Sequence, residues 1–340
     1  MTEKGYLTLF VLLAIAWGTA FAAIEVGLAT LPPILFAAFR LDVATLLFAG
    51  AIVGLGREWR PRTRTDWITI GVAGGLMVGA HYGLLFIGQS YVSSAVAAIV
   101  LSLTPIATPP LALALLPQER LRAPAVVGLF VGLAGVVVIA LSGGSLGGQA
   151  IGVALLFGSA FAFAVGSVLT ERLQRTLPVL SLQTWAMALG AGILHGVSYA
   201  HPGETVPSLA AWTTATVAAL AYLGIVATAG GFLAYFLLLD RIGASQLSLV
   251  NYASPVVAAL VGWALLGESI TLATVSGFGM IVLGFALCQL PSLWRLLAPV
   301  AGYKPRRRPA ADDCVVVDGN VYVPDDRDTG RAPSATPSAD

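Results

Sequence analysis

The stretch Ala95–Leu121, AVAAIVLSLTPIATPPLALALLPQERL, has an altered second copy at Ser245–Ile270, SQLSLVNYASPVVAALVGWALLGESI. Pro105 aligns with Pro255, and Ala114-Leu115-Leu116 with Ala264-Leu265-Leu266. After one gap, Glu119 aligns with Glu268, Gly128 with Gly277 and Gly135 with Gly284. A fainter match, GTAFA at Gly18–Ala22 against GSAFA at Gly158–Ala162, carries the repeat back toward the start of each half. The chain therefore reads as two related halves.

The solvent for which these halves are built is oil. Of 340 residues 57% are hydrophobic and 10% charged, with mean hydropathy +0.87. A soluble domain carries roughly 25% charged residues. Trp67–Gln118 and Ala123–Thr170 contain no Asp, Glu, Lys or Arg. A bilayer crossing takes about 20 apolar residues, so each run holds two crossings. Lipid offers no partner to a loose N–H or C=O, so the crossings must be helices, and the segments lack the alternation of barrel strands. The N-terminal run Gly5–Ile24 is too long for a signal peptide's apolar region and is read as the first span. Cys288 and Cys314 have no metal-ligand spacing around them, and a net charge of +1 gives no pointer to nucleic acid.

Glycine, proline and charge separate ten apolar segments, near 6–27, 33–55, 67–88, 92–116, 123–141, 149–170, 180–200, 211–239, 244–266 and 272–291. The expected fold is an all-α integral membrane protein of ten transmembrane helices. Residues 1–141 and 149–291 form the two halves, and 301–340 a cytoplasmic tail. With the N-terminus inside, every lysine and arginine of the 18 except Arg40 falls on the inner side, as the positive-inside rule requires. Five spans per half is an odd number, so the halves enter the membrane from opposite sides, the inverted repeat of many secondary transporters. The basic run Lys304–Arg308 suits anionic lipid headgroups. The acidic remainder of the tail reads as largely disordered, except that Asp318-Gly319 between β-formers has the pattern of a hairpin turn.

Trp17-Gly18, Leu31-Pro32-Pro33 followed by Ala37-Ala38-Phe39-Arg40, and the SLTP…LLPQERL block with its second-half counterparts Ser254-Pro255 and Leu265–Glu268 resemble the EamA family of the drug/metabolite transporter superfamily, over roughly residues 7–290. The resemblance implies ten helices as a 5+5 inverted repeat and transport of small metabolites, commonly outward. Pro117 stands where the family has glycine, and the Pro109-Pro110 pair is unusual for it.

Three charges interrupt the first two spans: Glu25, Arg40 and Asp42. Such residues usually face a bundle interior and pair. Arg40 lies about 10 Å inside its span at about 1.5 Å per residue. The short connection between spans makes a Glu25–Arg40 pair feasible, whereas Asp42 lies about 200° around the helix from Arg40. The pair reads as a structural clasp, as a ligand or coupling-ion site, or as charges snorkelling to the headgroups. His81 sits at the depth of Arg40 and faces either protein or a wet cavity. Gly71, Gly75, Gly79 and Gly83 form a stripe for close helix approach. Pro105 and Pro255 predict matching kinks, with Ser102, Thr104, Asn251 and Tyr252 beside them to cap freed carbonyls or meet substrate. Trp17, Tyr82, Trp185, Tyr235 and Trp263 serve either as cavity lining or as packing.

Gly143-Gly144-Ser145-Leu146-Gly147 fits the hydrolase pattern G-x-S-x-G, but it lies in a loop between membrane helices rather than on a strand-to-helix elbow. There is no H-E-x-x-H, no phosphate-binding loop and no pair of in-membrane carboxylates suited to proteolysis. The sequence reading is a secondary transporter exporting amino acids or related metabolites by alternating access, without cofactor. Its candidate substrate-binding or gating residues are Trp17, Glu25, Arg40, His81, Tyr82, Asn251 and Tyr252. A coupling proton and a homodimer are open readings. The alternative is a membrane-embedded enzyme or sensor without transport.

Overall fold

Helices begin where a residue can satisfy their first N–H groups, and three carboxylates do this here across large sequence distances. The computed structural model describes residues 3–115, 123–141, 148–173, 176–205, 207–208, 211–235, 237–238, 250–288, 315–317 and 320–322. Its helices are α1 (Glu3–Leu28), α2 (Pro33–Gly54), α3 (Arg64–Gln89), α4 (Ser94–Leu101), α5 (Thr104–Leu115), α6 (Ala123–Leu141), α7 (Gly148–Arg172), α8 (Val179–Ala200), α9 (Thr214–Tyr235), α10 (Val250–Leu266) and α11 (Leu272–Cys288). Five of them, α1, α2, α3, α7 and α9, are long and apolar enough to cross a membrane, and shorter apolar helices accompany them. The protein is a multi-pass helical membrane protein.

The first carboxylate, Asp66, closes a capping box with Thr63 at the start of α3. It also accepts from the N–H groups of Thr176 (3.0 Å) and Leu177 (3.2 Å) just before α8. In return, Glu204 beyond the end of α8 accepts from the N–H groups of Ile34 (3.0 Å) and Leu35 (2.9 Å) in the first turn of α2. The third, Glu268, takes the N–H and hydroxyl of Ser94, each at 2.8 Å, at the start of α4. Its left-handed neighbour Gly267 (φ 66°) turns the chain back toward that helix. A carboxylate on helix N–H groups answers both the unpaired donors and the helix dipole. Each of the three joins one half of the chain to the other.

Packing follows the same cross-half pattern. α1 lies on α9 and α10, and α7 lies on α3, α4 and α5. α2 meets α9 as α8 meets α3, while α2 packs on α8 and α6 on α11. Exchanging the halves maps the α1 contacts onto those of α7 and α2–α9 onto α8–α3, and maps α2–α8 and α6–α11 onto themselves. The two halves form one compact unit, Met1–Leu290. α1 and α2 touch only marginally although a four-residue connection joins them, because each finds a larger apolar partner in the other half.

Glycine makes the α6–α11 contact. A Cβ on Gly277 would meet the Gly135 carbonyl oxygen at 2.7 Å, and one on Gly284 would meet that of Gly128 at 2.5 Å. Late in α6 thus meets early in α11, and early meets late, so these equivalent helices run antiparallel. They are the same four glycines that align in the repeat. The expected stripe on α3 holds only in part. Gly79 and Gly83 pack against Ile193 and Leu194 of α8, but Gly71 and Gly75 face open space, and Gly74 makes the close approach to Ala186 instead. The reason is a π-helical segment at Ala73–Ala80, which changes the turn and moves the four-residue stripe off one face. α9 carries its own π segment at the equivalent place, Tyr222–Gly230.

The expected matching kinks at the prolines are unequal. The fourth segment breaks at Ser102-Leu103, between α4 and α5. Pro105 lacks the N–H that would bond Leu101, and Thr104 Oγ1 donates to that carbonyl at 2.8 Å instead. Helix α10 runs through Pro255 without interruption and changes to a π turn only at Gly262–Leu266.

In the separate unit Pro291–Asp340, β1 (Val315–Val317) pairs antiparallel with β2 (Asn320–Tyr322), in the register expected of a hairpin about Asp318-Gly319. The turn residues, Lys304–Arg308 and the rest of the tail lie outside the described residues, as do Pro117, Glu119 and Gly143–Gly147.

Candidate functional site

Arg40 is the charge that breaks the inside rule, and α2 carries it into the bundle core at 5% exposure. Its Nε donates to Thr228 Oγ1 at 2.7 Å. The Thr228 hydroxyl in turn donates to the Leu223 carbonyl (2.7 Å) within the π segment of α9. The guanidinium carbon stands 4.7 Å from the ring centre of Tyr82 and 5.9 Å from that of Phe86, both on α3. Among the described residues no carboxylate lies within ion-pair distance of Arg40. A desolvated cation–π contact is worth about 2 kcal/mol, less than the several kcal/mol a buried ion loses on leaving water. The site is a fixed positive charge compensated by a hydroxyl and two ring faces.

The neighbours of this charge are tied down. His81 Nδ1 faces Ser159 Oγ of α7 at 2.8 Å, and its ring lies edge-on to Tyr82, centroids 4.8 Å apart. Trp17 of α1 donates its indole N–H to the Ala227 carbonyl at 3.0 Å, one residue before Thr228, and stacks on Tyr235 at 5.7 Å. Phe36 and Phe86, both fully buried with centroids 5.4 Å apart, lie one turn beyond Arg40 and Tyr82 respectively. They close that side toward the Gln89 end of α3.

Glu25 is not part of this cluster, so the Glu25–Arg40 pair does not form. α1 turns Glu25 toward Gln89 of α3, with Glu268 as its neighbouring carboxylate. Oε2 of Glu25 and Oε1 of Gln89 are buried without hydrogen-bond partners, while Gln89 Nε2 donates to the Phe21 carbonyl. The cause is the packing of α1 and α2 on the other half rather than on each other. Asn251 and Tyr252 stand on α10, where the Tyr252 ring packs tilted against Phe285 with centroids 4.3 Å apart, away from the Arg40 contacts. Trp185 stacks on Trp59 and donates to its carbonyl, and Trp263 is 63% exposed, so neither joins the site.

Sequence reasoning missed Thr228, Ser159, Gln89 and His195. Thr228 and Ser159 are small hydroxyl residues in apolar spans and carry no spacing signal. His195 was legible as a titratable residue inside a span. Its Nε2 meets Asp42 Oδ2 at 2.7 Å, which gives Asp42 the partner the sequence left unassigned. No group of three or more metal-ligating side chains occurs among the described residues.

A helical bundle with cross-half packing, and with Arg40 buried near its middle, defines a polytopic membrane protein. The profile of the EamA-like transporter family matches residues 4–141 and 150–289, one match per half, and the chain belongs to that family. It is 33% identical to an uncharacterised transporter of Archaeoglobus fulgidus, over 79% of this chain and 92% of that one. It is 28% identical to a probable amino-acid metabolite efflux pump of Salmonella typhimurium, over 88% of this chain and 99% of the other. A solved crystal structure shares the fold with TM-score 0.61 at 21% identity, covering 87% of this chain and 99% of its own.

Proposed function

We propose that the protein is a ten-span secondary transporter that exports amino acids or related carboxylate-bearing metabolites by alternating access, with Arg40 as the anchor for the substrate's anionic group. The carrying observation is the guanidinium itself: buried, permanently charged and, among the described residues, without a carboxylate partner. The amino-acid efflux relative supports the substrate class. The antiparallel α6–α11 glycine contact and the exchangeable contacts of the halves support inverted repeats. In this reading Tyr82, His81 and Trp17 shape the wall about the anchor, and Phe36 and Phe86 form the closed side. Glu25 with Gln89 stands at a second, outer polar point. The π segments of α3 and α9, both bordering the anchor, are the places where the helices change shape. The charge pattern puts both termini in the cytoplasm.

The test is a flux screen in sealed proteoliposomes over amino acids and nucleobases, with wild type and Arg40→Gln compared at equal folded protein. Saturable flux of a carboxylate-bearing solute that Arg40→Gln abolishes is the expected result. Flux that survives the substitution removes Arg40 as anchor, and absence of flux for every solute favours a sensor or enzyme.

A further inference from the structure

The connection between α2 and α3 carries chemistry that the anchor does not use. Residues 57–67 read REWRPRTRTDW, with four arginines, two carboxylates and two tryptophans. Gly56, left-handed at φ 59°, turns the chain out of α2, and the Arg57 N–H closes that turn on the Ile52 carbonyl at 3.0 Å. The connection then lies on the first turns of α8. Trp185 donates its indole N–H to the Trp59 carbonyl at 2.8 Å, and the Ser181 hydroxyl donates to the Glu58 carbonyl. Trp59 stacks on Trp185 with centroids 6.1 Å apart, and Trp67 meets Trp185 edge-on at 5.5 Å. The Arg60 guanidinium carbon stands 5.2 Å from the Trp59 ring centre. These ties hold an irregular segment in one shape, so a ligand that binds there does not have to order it.

Both carboxylates of the segment are spent. Glu58 holds Arg62 through two contacts, at 3.0 and 2.7 Å. Asp66 accepts from the N–H groups of Arg62, Thr63, Thr176 and Leu177. Among the described residues no carboxylate lies within ion-pair distance of Arg57, Arg60 or Arg64, and all three are exposed. A cleft of about 170 Å³ opens here, bordered by Arg60, Arg62, the two spent carboxylates and residues 176–178.

Apolar surface adjoins the charge. Leu55, Trp59, Trp67 and Ile68 are exposed at the end of α2 and the start of α3, two helices long and apolar enough to cross a membrane. Tryptophan is enriched where hydrocarbon meets headgroups, and a guanidinium fork matches two phosphate oxygens at once. A ligand that answers both the unpaired guanidiniums and the exposed indoles has an anionic head and an apolar body. Free phosphate lacks the body, and a zwitterionic phospholipid lacks the net charge.

We propose that the α2–α3 connection is a binding site for the headgroup of an anionic phospholipid, in the leaflet where α2 ends and α3 begins. Arg57, Arg60 and Arg64 supply the charge that meets the phosphodiester, and Trp59 and Trp67 flank the upper part of the acyl chains. Both indoles rest on Trp185 of α8, so the lipid sits where the two halves of the chain join.

The probes are dioleoyl phosphatidylglycerol, dioleoyl phosphatidylcholine and inorganic phosphate, titrated into the full-length protein in detergent, with bound lipid counted by native mass spectrometry. Lys304, Arg306, Arg307 and Arg308 are replaced by glutamine throughout, so that the basic run of the tail does not contribute. The expected result is a phosphatidylglycerol bound at least about tenfold more tightly than phosphatidylcholine. Each arginine beside an anionic lipid surface is worth about fivefold, so Arg57→Gln, Arg60→Gln and Arg64→Gln together should abolish the preference. Arg172→Gln, at an exposed position ending α7, should keep it. Should the triple variant fail to fold, salt tests the same charge. Between about 0.1 and 1 M the screening length falls from about 10 to about 3 Å, and the preference of the parent protein should fall with it. Equal binding of the two lipids, a preference that survives the triple variant or ignores salt, or an equal loss in Arg172→Gln overturns the site. Displacement of phosphatidylglycerol by equimolar inorganic phosphate also overturns it, leaving an anion site without a lipid. No solute flux enters the measurement, so its failure and that of the export reading are seen separately.

Discussion

Arg40 Nε donates to Thr228 Oγ1 at 2.7 Å, joining the second helix of one half to the π segment in the third helix of the other. This contact, rather than the pairing with Glu25 that sequence proximity suggests, holds the anomalous charge. Thr228→Val keeps the volume and removes the acceptor. We expect it to loosen Arg40 without unfolding the bundle, with stability lower by about 1.5–3 kcal/mol, the range for a hydrogen bond to a charged group. Arg40→Lys keeps the charge but not the planar fork, and should weaken binding of the transported solute at least tenfold. Thermal unfolding and solute binding on the same preparations check both.

The α6–α11 seam gives a steric prediction. Gly277→Ala places a Cβ 2.5 Å from Ile139 and 2.7 Å from the Gly135 carbonyl, so the helices must part. The cost should be about 1–3 kcal/mol, as for an overpacked core. At Gly279, two residues on, nothing lies within 4 Å, and Gly279→Ala should gain about 0.5–1 kcal/mol from helix propensity. Opposite signs for the two variants in thermal unfolding are the expected outcome; equal signs remove the seam.

The cross-half caps should behave as separate struts. Asp66→Asn leaves the N–H groups of Thr176 and Leu177 short of a charged acceptor, and Glu204→Gln does the same to Ile34 and Leu35. Each should cost about 1–3 kcal/mol. The two carboxylates serve opposite ends of the α2–α8 pair, so the double variant should show the sum of the single losses. Unfolding curves for the four proteins make the comparison.

Orientation is checked by labelling. In intact cells a cysteine at Gly203 should react with an impermeant thiol reagent, while one at Arg57 should react only after the cells are opened. Both positions are exposed. The reverse pattern inverts the placement of the termini.

Much of the fold is legible without coordinates because lipid permits so few backbone solutions. The apolar segments and the repeat with its four glycines stand in the sequence. The residue types that matter are visible too: Arg40 as the one basic residue off the inner side, Glu25 and His81 as ionisable groups in spans, Thr104 beside Pro105. These are local facts of solvation and backbone chemistry, and one chain segment suffices to state them.

Only the tertiary structure decided which of these residues meet. Glu25 and Arg40 are neighbours along the chain, yet α1 and α2 each bury more apolar surface on the opposite half. One charge therefore goes to Gln89 and the other to Thr228. The partner of Asp42 lies 153 positions away, and nothing in the spacing of either residue announces it. The π turn in α3 moved the glycine stripe off its face, through a change of helical turn that composition does not encode. Partner choice here is the outcome of helix packing between halves, a global competition for buried surface, whereas helix formation and membrane residence follow from local composition.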